Sequence, residues 1–144
     1  MSNQVPSSTK TWPAMFAMAV LVPYLLASCA QRLSPEEEVR QDFNKRVEAY
    51  NAGDLARYNS FLCPSFVSAI NSSGLNTEPD KNMKDSLAAK GKLIVASFDQ
   101  VNVSGDTATA NVLLEYEKIS TDVSYHPVMM TFKRANGTWK QCQI

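Results

Sequence analysis

Three kinds of hydrophobic spacing follow one another along the chain. From Trp12 to Ala27 there is no charged side chain, and Ala17, Val20, Leu21, Val22, Leu25 and Leu26 make an apolar run interrupted by Pro23. A spanning helix takes roughly 20 apolar residues, so this run is short for one and its proline weakens it further. Past residue 34 the spacing becomes helical. Ser34-Pro35-Glu36-Glu37 supplies a cap, a proline in the first helical position and a glutamate three residues after the cap. Val39, Phe43, Val47 and Tyr50 then fall on one stripe, with charges on the other side. Gly53 ends that helix and Asp54 caps a second, whose buried face is Leu55, Tyr58, Phe61 and Leu62. Pro64 predicts a break or bend just after Cys63, with Phe66, Val67 and Ile70 extending the helix as an irregular turn. Ser72-Ser73-Gly74 reads as a loop, and Thr77 to Gly91 as a third helix with Met83 and Leu87 inward.

Beyond Gly91 the period drops to two, which predicts a sheet. Leu93 to Val103 is rich in β-branched and apolar residues, and Ser104-Gly105-Asp106 is a turn signal. Thr107 to Glu117 alternates, with Ala108, Ala110, Val112, Leu114 and Tyr116 on one face and Glu115 and Glu117 on the other. Val123 to Arg134 forms a third strand whose inward face is His126, Val128, Met130 and Phe132, with Pro127 demanding an edge or a bulge. Asn136-Gly137 is a strong hairpin turn, and Thr138 to Ile144 pairs back with Trp139 and Cys142 on opposite faces. The expected fold class is α+β: three N-terminal helices packed on a curved, antiparallel, four-stranded meander.

At the end of the apolar run, Leu26-Ala27-Ser28-Cys29 resembles the lipobox of bacterial lipoproteins at every position. The h-region of a signal peptide has about the length of this run. The resemblance implies a signal peptide over 1–28, a diacylglycerol on the Cys29 thiol with further acylation (palmitate) of the new terminus, and a short tether over 29–34. The domain proper is then 35–144, anchored to the bacterial cell membrane on its extracytoplasmic side. An uncleaved amino-terminal anchor is the competing reading, and a buried helix is a third. Either form of membrane attachment puts the domain outside the cytoplasm. Removal of 28 residues leaves 116 of the 144, one domain's worth of chain. Lys10 is the only charge lost, so 13 basic face 14 acidic side chains, and the broad positive field of a nucleic-acid binder is missing. Lipid is then the anchor, worth about 0.8 kcal/mol per buried methylene.

With Cys29 given to lipid, Cys63 and Cys142 remain in a compartment that is normally oxidising, and a disulfide between them is expected. Two cysteines and the single His126 are a poor metal-ligand set, and a free catalytic thiol would be oxidised there. No metal or cofactor is expected.

Val47-Glu48-Ala49-Tyr50-Asn51-Ala52-Gly53-Asp54, the meander from Val101 to Ala110 and the closing Asn136-Gly137-Thr138-Trp139-Lys140 are similar to segments of the cone-shaped nuclear transport factor 2-like (cystatin-like) fold. With Leu62-Cys63-Pro64 and Cys142 the pattern resembles small lipoproteins of actinobacterial cell envelopes. Enzymes of this fold set a carboxylate and hydrogen-bond donors on the concave face. Here that face offers mostly apolar residues, and only Tyr116 and His126 bring titratable atoms inward. They are the candidate ligand-lining residues. In the plainer reading Tyr116 closes the core with its hydroxyl at the rim, and His126 satisfies a backbone carbonyl. Glu36-Glu37-Glu38 is read as a dipole-favoured first turn, and Lys81, Lys84, Lys90 and Lys92 as solvated charge or a contact for anionic headgroups. Phosphate loops, zinc patterns and nucleophile elbows do not appear.

The expected function is non-catalytic: a lipid-anchored envelope domain that binds an apolar small molecule or serves a membrane-associated assembly through an envelope protein. A small isomerase or hydratase of the cone type and a structural envelope protein are the alternatives. Homodimerisation through the sheet face is a further expectation.

Overall fold

The computed structural model describes residues 32–73, 77–119 and 126–143. The apolar run, Cys29 and most of the expected tether lie outside these residues, so the cleavage and anchoring expectations are carried forward as proposals. No described helix is long and apolar enough to cross a membrane.

Helix α1 (Pro35–Asn51) begins as its sequence dictates. The Ser34 hydroxyl accepts from the Glu37 N–H at 3.2 Å, and Glu37 Oε2 accepts from the Ser34 N–H at 2.8 Å. This closes a capping box over two otherwise orphaned donors. Val39, Phe43, Val47 and Tyr50 are buried as expected. Asp42 and Arg46 are buried too, although their charge suggested the solvent side. The last strand covers that flank of the helix, so α1 is enclosed on two sides. α2 (Leu55–Ser60) is capped by Asp54, whose Oδ1 accepts from the Arg57 N–H.

Among the described residues the helical layer has four members rather than three. After α2 the chain becomes briefly extended: Leu62 pairs in parallel with Gln141, Cys63 N–H donates to Gln141 O, and Gln141 N–H donates to Phe61 O. Pro64 then occupies the first turn of a new helix, α3 (Pro64–Ser72). A proline that forbids helix behind it is well placed to start one ahead of it. α4 (Pro79–Lys90) ends at Gly91, whose φ of 76° and ψ of −163° are accessible essentially to glycine alone.

The strands are β1 (Leu93–Ser104), β2 (Thr107–Tyr116), β3 (Val128–Ala135) and β4 (Thr138–Gln143), an antiparallel meander in the order β1-β2-β3-β4. Asn136 and Gly137, with φ of 53° and 75°, form the expected two-residue hairpin turn between β3 and β4. β1 is irregular against β2 at Val95/Ser97 and at Asp99/Asn102, where Gln100 takes a φ of 50°. Such bulges bend and twist a strand, and here they curve the sheet around the helices. The register of β2 is the expected one: Ala108, Ala110 and Val112 are buried, and Leu114 and Tyr116 are half-buried.

β3 starts later than its sequence suggested. Pro127 has no N–H for the ladder, so pairing begins at Val128, opposite Val112. His126 consequently lies outside the sheet and is exposed. The small Ala108 and Ala110 leave room for aromatic side chains on the concave face. Phe43, Phe98 and Phe132 meet there with centroids 5.1 to 6.1 Å apart, beside Met130 and Trp139. The middle of the cone is therefore filled by side chains.

Cys63 and Cys142 are joined by a disulfide, tying the start of α3 to β4. The expected pairing is present.

Candidate functional site

Open space lies at the helical end of the fold, away from the packed middle. The detour at Leu62 and Cys63 separates α2 from α3, and a pocket of about 260 Å³ lies among α2, α3 and α4. Tyr50 near the end of α1 and Tyr116 at the end of β2 complete its wall. Leu55, Leu62, Val67, Ile70 and Met83 give it apolar surface, and Asn59, Asn71, Asn82 and Ser86 give it polar atoms. That volume exceeds the roughly 150 Å³ of a cavity that takes benzene and falls just short of the about 300 Å³ at which drug-sized sites begin. One ring or one short chain fits.

Three phenols meet at this pocket. Tyr50 Oη donates to Ser86 Oγ at 2.8 Å, and its ring lies 5.9 Å from that of Tyr58. Burial pushes the Tyr50 phenol above its ordinary value, the Ser86 hydrogen bond opposes this, Tyr116 adds to the rise and Lys90, at the end of α4, works against it. Two cations stand behind the other two rings. Lys90 Nζ lies 5.0 Å from the Tyr116 ring centroid. The Arg46 guanidinium lies 5.3 Å from that of Tyr58 and 4.5 Å from that of Phe43, and its Nη1 donates to Tyr58 Oη at 3.5 Å.

Arg46 is a buried cation without a carboxylate on it. Its closest partner is Gln141 Oε1, which accepts from Nη1, and its Nε has no hydrogen-bond partner among the described residues. Asp42, one turn away, is otherwise engaged. Its Oδ2 accepts from the Trp139 N–H and its Oδ1 from Lys45, each at 2.9 Å. Burial lowers the Arg46 pKa, while the neighbouring phenols Tyr58 and Tyr116 pull it back. Trp139 Nε1 and Gln141 Nε2 are likewise buried without partners among the described residues, so N–H donors predominate in this part of the interior.

Tyr116, expected on the inward face of β2, is half-buried and borders this pocket, and His126 does not join it. The exposed position of His126 follows from the late start of β3. No Asp, Glu, Lys, Arg or His lines the pocket among the described residues. Lys81 pairs with Glu78 and Asp85, and Lys84 with Asp80, so much of the lysine row of α4 is balanced locally. Glu37 serves the capping box, and Glu38 pairs with Arg134 at 2.7 Å. Sequence reasoning took Tyr50 and Tyr58 as core and passed over Arg46. The available signal was position: Arg46 lies three residues after Phe43 and four before Tyr50, within the apolar stripe.

No family model matches the chain, and no curated protein does. Solved structures do. An NTF-2 like protein of unknown function from Shewanella oneidensis MR-1 aligns with a TM-score of 0.55 at 13% identity, over 75% of this chain and 94% of that one. A SEC-C motif containing protein from Rhodopseudomonas palustris aligns with a TM-score of 0.51 at 12% identity, over 75% and 77%. The fold is nuclear transport factor 2-like. At these identities the likeness concerns the fold, and the site has to be argued from its own residues.

Proposed function

We propose that this protein is a lipid-anchored cell-envelope domain that binds a small, largely apolar molecule in the pocket bounded by Tyr50, Tyr58 and Tyr116. The pocket itself carries the reading: a concave wall of aliphatic and aromatic side chains, whose surface is about half polar through its phenols, amides and hydroxyl, can enclose a small molecule and orient it. A non-catalytic role is favoured by the lining, which among the described residues presents phenols, amides and one hydroxyl but no carboxylate or imidazole to act as a base near neutral pH. The anchoring part of the proposal rests on Leu26-Ala27-Ser28-Cys29 and the uncharged run before it.

One preparation tests both parts. Native protein extracted from membranes is weighed intact, first under denaturing conditions with and without reduction, then under native conditions. The expected denatured mass begins at Cys29, carries acyl chains and exposes two thiols only on reduction. The expected native mass is larger by one small molecule. A chain beginning at Met1 or Ser2 without acyl mass overturns the anchor, and a native mass that gains nothing when small apolar molecules are supplied overturns the binding role.

A further inference from the structure

The geometry points to a small organic anion as the pocket's ligand: one ring or one short chain ending in a carboxylate, with the carboxylate held by the Tyr58 hydroxyl in front of Arg46. This rests on the pocket's being a ligand site and names the chemistry that the site selects. Three observations support it. First, Tyr58 lines the pocket and its Oη accepts from Arg46 Nη1 at 3.5 Å, so the phenol's own O–H remains available to donate to a ligand oxygen. Second, the positive charge behind that hydroxyl is not matched. The two oxygens of Asp42 are engaged by Lys45 and the Trp139 N–H, and no described carboxylate forms an ion pair with Arg46. Burying a guanidinium without a counter-ion is costly, and an anion arriving one hydroxyl away offsets part of that cost. Third, a second cation supports the same sign of ligand. Lys90 makes no ion pair among the described residues and stands over Tyr116, while the acids of α4 are taken up by Lys81 and Lys84.

A cationic ligand is the natural competitor, since three tyrosines can form an aromatic box. Arg46 and Lys90 argue against it, because each already stands against one of these rings and its positive charge repels a second cation. The size of the pocket limits the anion to something near benzoate, and the aliphatic residues of the lining suit its ring.

The test is isothermal titration of the full chain in mild detergent with benzoate, benzyl alcohol and benzylamine at pH 7, each corrected by titration into detergent alone. Hydrogen bonds to a charged acceptor exceed neutral ones sufficiently that benzoate should bind about tenfold more tightly than benzyl alcohol. Tyr58→Phe should reduce that preference to about twofold. Lys90→Gln, an exposed substitution that leaves the core intact, should weaken benzoate by about two- to threefold and spare the alcohol. Equal binding of benzoate and benzyl alcohol, a preference for benzylamine, or a benzoate preference that survives Tyr58→Phe each overturns the anion assignment while the pocket keeps its binding role. Failure of all three probes to bind at millimolar concentration overturns both.

Discussion

Reducing the Cys63–Cys142 bridge should lower the unfolding midpoint by about 8–19 °C, a size that follows from the loop it closes and the contacts that survive it. The two cysteines are 79 residues apart in sequence, and loop-closure entropy for that length gives about 4.5 kcal/mol, with measured bridges often delivering less. On the folded side little should change. The Cys63 N–H still donates to Gln141 O at 2.8 Å, the Gln141 N–H still donates to Phe61 O at 2.9 Å, and Leu62 stays paired with Gln141. The loss therefore falls on the unfolded ensemble, which regains the freedom of most of the domain. Residues 32–144 unfold with an entropy of about 0.24 kcal/mol per degree, which converts 2–4.5 kcal/mol into the stated shift. Since small domains hold about 5–15 kcal/mol in all, the reduced protein should still fold at room temperature. The assay is calorimetry with and without reductant, with thiols counted before each scan, beside a Cys63→Ala/Cys142→Ala double variant that should match the reduced protein. A midpoint that moves by less than about 3 °C with both thiols free refutes the reasoning, because loop entropy then does not act through this bridge.

Other perturbations have sizes set by single contacts. Asn51 Nδ2 donates to Leu93 O at 2.9 Å and its Oδ1 accepts from the Leu93 N–H at 2.7 Å, so Asn51→Ala should cost about 2 kcal/mol in urea titration, and a loss below about 0.5 kcal/mol would show this clamp to be idle. Gly91→Ala should cost about 2–3 kcal/mol by the same measurement, since it needs a glycine-only backbone and sets a Cβ 2.9 Å from Lys118 Cγ and 3.0 Å from Glu117 Cβ; an unchanged midpoint would mean that the junction shifts freely. Gln141→Leu should cost about 3 kcal/mol, because it strips Arg46 of its closest acceptor inside the core, and a stabilised variant would contradict that account. The raised Tyr50 phenol favours the protonated, folded state. Its stabilisation is complete below its ordinary value of 10.0 and is lost as pH climbs through the higher folded value. Wild type should accordingly lose stability above about pH 10 more steeply than Tyr50→Phe, which itself costs about 1 kcal/mol at neutral pH, and parallel alkaline profiles would remove Tyr50 from the explanation.

Local rules read the fold well where a residue's own covalent chemistry was decisive. Ser34 to Glu37, Gly53 with Asp54, and Asn136-Gly137 each prescribe a cap or a turn through backbone geometry that needs no distant partner. Alternation in β2 announced its buried face, because every second side chain of a strand must point the same way. Reading failed where proline had two meanings. Pro64 predicts the break after α2 but not the full helix α3 that it starts, and Pro127 is expected inside a strand that begins only at Val128. In both places the outcome turned on which neighbour offered backbone hydrogen bonds, Gln141 in one case and Val112 in the other.

The division for the site is similar. Sequence by itself determined the α+β class and the inward register of β2, and it made Cys63 and Cys142 the expected pair. Those follow from periodicity, turn chemistry and composition, all local properties of the chain. Only the tertiary structure decided that the middle of the cone is packed by Phe43, Phe98 and Phe132, that the pocket lies among the helices, and that Arg46 is buried behind Tyr58. A charged residue within an apolar stripe faces water or core according to what covers that flank of the helix. Here the cover comes from Trp139 and Gln141, more than 90 residues further along, at contacts no local pattern encodes.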